Sequence, residues 1–245
     1  MPLDIIAEND DDRSMRYPGG KGKCYQHIIN VLPPHTTYIE THLGGGAVLR
    51  KKKPANTNIG VDRDAAIIRS WRRLFPSLAS YVEADAVEFL ESQRLTDDVL
   101  LYCDPPYLPA TRRRVQVYRH DYAERDHVRL LETLRRLPCQ IVISGYPSAL
   151  YDEWLPDWNS QTYLAKAHDG VRQEKIWFNF DPPARLHDTR YLGRDFRERQ
   201  TIRRRLERLQ RRISELSPQE RLLLSDWFED HMQEEGHAGL LLPPG

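Results

Sequence analysis

Val99-Leu100-Leu101-Tyr102-Cys103 is an unbroken apolar run that closes on Asp104-Pro105-Pro106-Tyr107. Such a run leaves no face of a strand for water, so it reads as a strand covered on both sides, as in a parallel sheet flanked by helices. The prolines cannot donate ladder hydrogen bonds and stop the strand at the aspartate. From Tyr38 onward, short apolar segments alternate with helical patterns. Strands are predicted at Thr37–Glu40, Ile59–Asp62, Tyr81–Asp85, Val99–Asp104 and Gln140–Ser144, with weaker ones near Thr162–Leu164 and Lys175–Phe180. Helical spacing falls at Ala65–Leu74, Ala86–Gln93 and Arg125–Arg136. This order predicts an α/β fold with a doubly wound, mostly parallel sheet that takes ligands beyond the carboxyl ends of its strands. Asp62, Asp85 and Asp104 each end a predicted strand and Glu40 lies in the first, so one crevice at that edge would hold all of them.

After about Pro183 the pattern changes. Arg194–Leu216 is predicted helical, with Ile202, Leu206, Leu209, Ile213 and Leu216 spaced alternately four and three, a narrow seam of coiled-coil type. Ser217-Pro218-Gln219-Glu220 then supplies an N-cap serine, a proline at the first helical position and a glutamate three residues after the cap. A second helix should follow and bury Leu223, Leu224, Trp227, Phe228 and Met232.

Composition narrows the class. The 245 residues suffice for one sizeable core plus an appendage. Lys+Arg and Asp+Glu both number 36, so only the distribution of charge speaks of partners. Asp4, Glu8, Asp10, Asp11 and Asp12 make an acidic, apolar-poor leader, opposite in composition to a secretory or mitochondrial presequence. No apolar run approaches membrane-spanning length. Cys24, Cys103 and Cys139 lack a CxxC, which suits a reducing cytoplasm and argues against structural zinc. His42, His120, His127 and His168 are scattered without ligand spacing, so no metal site is predicted.

The chemistry concentrates at three places. A carboxylate at a strand end, two rigid prolines and an aromatic ring suit a planar amine. Asp104 and a proline carbonyl accept from its hydrogens, and Tyr107 offers a stacking face. The same tetrapeptide also serves elsewhere as an ordinary strand-to-loop turn. Tyr17-Pro18-Gly19-Gly20-Lys21 precedes the first strand and is not a Walker A loop; its glycines permit close backbone approach and Lys21 offers a cation, while a flexible turn remains the bland reading. Leu43-Gly44-Gly45-Gly46-Ala47 is a tight strand-to-helix turn without the full GxGxxG spacing. Asp62 follows Gly44 by 18 residues, where Rossmann-like folds place an acid on ribose hydroxyls.

Taken in order, Tyr17-Pro18-Gly19-Gly20-Lys21, the stretch from Tyr38 through Glu40 and Gly44 to Val48, Val61-Asp62 and Asp104-Pro105-Pro106-Tyr107 resemble the motifs of Dam-type DNA N6-adenine methyltransferases. The resemblance covers roughly residues 16–180. It implies the Rossmann-like sheet of S-adenosylmethionine-dependent methyltransferases, with about seven mostly parallel strands, followed here by a C-terminal helical hairpin. The implied domains are an acidic leader (1–15), a catalytic domain (16–183), the hairpin (184–236) and a tail (237–245). It implies S-adenosylmethionine as cofactor, held by Tyr17, Gly19, Lys21, Glu40, Gly44, Asp62, Asp85 and Asp104. Asp104, Pro105, Pro106 and Tyr107 would grip the target amine of an adenine in DNA. Two departures stand out. Thr41-His42 replaces the Pro-Phe pair common after the motif glutamate. Only residues 86–103 separate Asp85 from Asp104, so the usual target-recognition insertion is missing, which implies relaxed or unusual sequence preference.

DNA contacts are expected from Arg112, Arg113, Arg114, Tyr118, Arg119 and Tyr122, an arginine-rich and aromatic segment directly after the catalytic turn. Nine arginines between Arg194 and Arg212 face only Asp195, Glu198 and Glu207, so that helix could track a phosphate backbone or remain a solvated face. Its seam also makes a homodimer through the C-terminal helices possible. Ser144-Gly145-Tyr146 would shape the pocket wall. An RNA adenine methyltransferase and a catalytically silent DNA-binding or scaffolding relative remain as rival readings.

Overall fold

The computed structural model describes residues 21–22, 24–111, 120–167 and 170–238. The chain divides into two compact units, one ending at Tyr191 and one beginning at Leu192. In the first, the elements run α1 (Tyr25–Ile29), β1 (Thr37–Thr41), α2 (Ala47–Lys51), β2 (Thr57–Asp62), α3 (Ala65–Leu74), β3 (Ser80–Glu83), α4 (Ala86–Ser92) and β4 (Val99–Cys103). They continue with α5 (Glu124–Leu134), β5 (Gln140–Gly145), α6 (Ala149–Trp154), β6 (Asn159–Ala167) and β7 (Gly170–Phe178). The strands form one seven-stranded sheet in the order β3-β2-β1-β4-β5-β7-β6.

The first five strands are parallel, and β7 runs antiparallel to both β5 and β6. This is the doubly wound, mostly parallel sheet that the sequence predicts. β4 lies between β1 and β5 with every residue buried, which explains its continuous apolar run. Each fully buried Leu or Ile contributes about 1.5–3 kcal/mol. One core cluster holds Tyr38, Leu43, Trp71, Leu100 and Tyr102, and the other holds Ile39, Leu101, Leu130, Ile141 and Trp177. Alternate residues of β1 and β4 therefore feed opposite layers. Strand order reverses between β1 and β4, so the crevice at a topological switch point opens where Glu40 and Asp104 lie.

The helices α1 and α6 were not predicted, and α2 was expected only as the helix after the glycine turn; at five or six residues each they are too short to show periodicity. β3 ends at Glu83, two residues before Asp85, and Asp85 caps α4 by accepting from Val87 N at 3.0 Å. The first unit also extends past the expected boundary at 183. Lys53 N donates to Asp188 Oδ2 at 2.8 Å, Arg190 Nη2 to Lys51 O at 2.8 Å and Tyr191 OH to Lys51 O at 3.1 Å, which sews this segment to α2.

The second unit contains α7 (Phe196–Ser214) and α8 (Pro218–Ala238). The predicted start of α8 is realised as a reciprocal capping box, with Ser217 N to Glu220 Oε2 at 2.7 Å and Glu220 N to Ser217 Oγ at 3.3 Å. The predicted burial is not realised. Leu223 is 69% exposed, Trp227 49% and Phe228 50%, and no residue of α7 is buried. Two successive helices offer no third element to cover so wide an apolar arc. Met232 lies outside the residues whose side chains are described. Among the described residues no helix is long and apolar enough to cross a membrane.

Candidate active site

The floor of the site is the turn between β1 and α2. His42, Gly44 and Gly46 all take left-handed backbone, at φ 59, 44 and 51. At Gly46 a Cβ would stand 2.3 Å from the Trp71 ring, so only glycine fits there. Trp71 Nε1 donates to Gly44 O at 2.9 Å, tying α3 beneath the turn. Gly44 N donates to Asp62 Oδ2 at 2.9 Å and Asp64 N donates to Asp62 Oδ1 at 2.8 Å, so the acid ending β2 is locked against the glycines. Burial raises the Asp62 carboxyl above its ordinary range, opposed by those two amides. Glu40 accepts from Tyr38 OH and Leu49 N, each at 2.8 Å and both on Oε2. Burial pushes its pKa up to about 8.

The wall is built around Lys21, which is 3% exposed. Its ammonium donates to Asp104 Oδ1 and to Tyr107 OH, each at 2.7 Å, and stands 3.4 Å from Glu174 Oε2. Ser144 Oγ, at the end of β5, also donates to Asp104 Oδ1 at 2.8 Å. Tyr107 OH donates to Glu174 Oε1 and Tyr163 OH to Glu174 Oε2, each at 3.1 Å. Burial raises the Asp104 carboxyl, and Lys21 opposes the rise. Burial works to lower the Lys21 ammonium, but Asp104, Tyr107 and Glu174 outweigh it and hold it well above its usual range.

Lys21, Glu40, Gly44, Asp62, Asp104, Pro105 and Pro106 line one cleft of about 750 Å³, part of it open to solvent. These residues, predicted from four separate segments, are brought together. Asp85 is not among the lining residues, although its neighbours Ala84 and Ala86 are. Tyr17, Gly19, Arg112, Arg113, Arg114, Tyr118 and Arg119 lie outside the described residues. Tyr122, expected on a DNA-facing surface, is instead 4% exposed and lines the cleft. Its hydroxyl meets Nε2 of His42, the residue after β1, at 2.8 Å. Tyr107 is turned inward too, at 8% exposure, with its ring centroid 4.2 Å from that of Tyr146. A smaller hollow of about 200 Å³ lies at the same proline turn, bordered by Tyr107, Ser144 and Tyr146.

The cleft fits S-adenosylmethionine. Asp62 and Asp104 suit ribose hydroxyls and a cationic centre, and the glycine turn admits close backbone approach. Among the described residues His42 Nδ1 is buried without a hydrogen-bond partner, and burial lowers the ring's pKa to about 4, so the ring is a neutral imidazole that could meet a polar ligand atom.

Glu174 and Tyr163 were not anticipated. A signal existed: Glu174 shares the period-two register of Ile176 and Phe178 on the buried face of β7, where an acid needs a buried partner. The partner lies far away in sequence, at Lys21.

No protein-family model matches the chain, and no curated protein matches it. Solved structures similar to it include the 23S rRNA methyltransferase ErmE, at 11% identity and TM-score 0.44, covering 68% of this chain and 71% of that one. Another is M. capricolum TrmK in complex with S-adenosylhomocysteine, at 7% identity and TM-score 0.43, covering 79% and 87%. A third is the Synechocystis magnesium protoporphyrin IX methyltransferase with bound cofactor, at 9% identity and TM-score 0.42, covering 64% and 80%. Likeness at this level assigns no substrate.

Proposed function

We propose that this chain is an S-adenosylmethionine-dependent methyltransferase that modifies the exocyclic amine of adenine in DNA, as its motif resemblance to the Dam-type family suggests. The observation that carries the reading is the 2.7 Å contact between Lys21 and Asp104 at the wall of a cleft that Gly44 and Asp62 also border. When bound, the cofactor supplies a methyl group on a sulfonium leaving group. The protein's part is placement. Among the described residues Lys21 and Ser144 both donate to Asp104 Oδ1, and Oδ2 is the oxygen that would accept from an amine. Asp104 Oδ2 and the Pro105 carbonyl would take the two amine hydrogens and turn the nitrogen lone pair toward the methyl group. Asp104 acts here as an orienter, and positioning of this kind is worth up to about 7–11 kcal/mol. An adenine presented to Asp104 and the Pro105 carbonyl must leave the duplex to reach them.

Relaxed sequence preference follows from the shortness of the link between Asp85 and Asp104, which holds α4 and β4 and no further element. The partner proposed besides DNA is a second copy of the chain. α7 carries eight arginines against two glutamates, a net of +6, and α8 six acids against Arg221, a net of −5. Their exposed leucines and aromatics suit a four-helix arrangement in which each α7 meets a partner's α8.

Incubating plasmid DNA with the protein and isotope-labelled cofactor, then analysing nucleosides by mass spectrometry, tests the reading. Labelled N6-methyladenine is expected, and Asp104→Asn should reduce it about a hundredfold or more. Label in RNA under competition, or on a different atom, would reassign the substrate.

A further inference from the structure

Glu174 has no place in the mechanism above, yet it is 7% exposed and meets three groups of the site: Lys21, Tyr107 and Tyr163. A carboxylate is costly to bury and is kept there when its charge is compensated. The other buried groups around it, Tyr163, Tyr107 and Cys24, are all held in their neutral forms by burial. Among the described residues Lys21 is the cation paired with Glu174, and it is paired with Asp104 as well. The charge count then matters. Without Glu174, Lys21 would cancel Asp104 and present a neutral pair to the cleft. With Glu174, Lys21 is already matched from behind, and the charge of Asp104 remains available on the cleft side, where its side chain is 18% exposed.

We propose that Glu174 is a positioning residue that acts through Lys21 to leave Asp104 with an uncompensated negative charge, so that the cleft selects the cationic sulfonium cofactor over its neutral thioether product. This rests on the S-adenosylmethionine reading. It supplies that reading with product release: loss of the positive charge on methyl transfer removes the attraction that holds the ligand. One charge interacting across a few ångströms of partly dry protein is enough for a tenfold or larger preference.

The test is binding calorimetry of the full chain with S-adenosylmethionine and, separately, S-adenosylhomocysteine, without nucleic acid. Wild type should bind the sulfonium at least about tenfold more tightly than the thioether. Glu174→Gln keeps shape and hydrogen-bonding capacity while removing the charge, and should bring the two affinities within about threefold of one another. Glu174→Asp should restore most of the preference. Equal weakening of both ligands in Glu174→Gln would mark a purely structural role and overturn the proposal, as would a wild type without preference. Failure of wild type to bind either ligand would instead remove the cofactor reading itself. Should Glu174→Gln fold poorly by circular dichroism, the ratio in Glu174→Asp decides: retention supports the proposal and loss to parity, despite the retained charge, overturns it.

Discussion

Glu40 illustrates how the chemistry of a residue singled out from the sequence depends on packing. It lines the cleft, yet its Oε2 is spent on Tyr38 and Leu49, and burial raises its pKa to about 8 from 4.5. The sign of the linkage follows. Between those two values the folded state holds a proton that the unfolded chain has released, so this group's contribution to stability falls as pH rises, by up to about 1.4 kcal/mol per pH unit. Glu40→Gln can accept the same two hydrogen bonds through its amide oxygen. Urea unfolding of the ligand-free variant should therefore be flatter with pH than wild type between about pH 5 and 8, and as stable or more so at the upper end. A wild-type curve that rises through this window, unchanged in the variant, would contradict the assignment. At this scale Lys21 and Asp104 were legible from their motifs. Glu174 was not, because a single acid in a strand names no partner.

The turn joining β1 to α2 shows what an element adds. Three left-handed residues within five positions bend the chain so that the Gly44 amide meets Asp62 and its carbonyl meets Trp71. The glycines announced a tight turn. They did not announce that His42 would share the left-handed conformation or that α3 would press a tryptophan under Gly46. Gly46→Ala places a Cβ into that ring and strains φ as well, and should cost about 2–4 kcal/mol by chemical denaturation. Loss below about 0.5 kcal/mol would mean that Trp71 moves aside freely. Gly22, where no atom of the described residues lies within 4 Å of an added Cβ, serves as the control and should tolerate alanine.

For the whole molecule, the two units make different demands. The sheet unit has two clusters of buried residues, while α7 buries nothing within the single chain. Stability of a ligand-binding unit rises with ligand by about 2.7 kcal/mol at a hundredfold excess over Kd, whereas that of an assembling helical pair depends on protein concentration. Thermal unfolding should accordingly show two transitions: one moved by S-adenosylmethionine and the other by dilution. Leu206→Glu with Leu209→Glu, at positions 48% and 45% exposed and so harmless to a monomer, should abolish a dimer seen by sedimentation while leaving cofactor binding intact. A monomer in the wild type at micromolar concentration would remove the second copy as partner and leave the basic face of α7 to nucleic acid.

Periodicity and punctuation alone determined the strand-helix order, the doubly wound sheet and the acids at its strand ends. These are local matters: an apolar run, a double proline and a capping serine act on their own neighbours. Which acids converge was decided only by the tertiary structure, because convergence depends on strand order and on side chains that meet across long sequence gaps. The reversal between β1 and β4 set Glu40 beside Asp104, while Asp85 went to a helix cap. The antiparallel return of β7 carried Glu174 to Lys21. A buried charge chooses its partner in space, and no spacing along the chain records that choice.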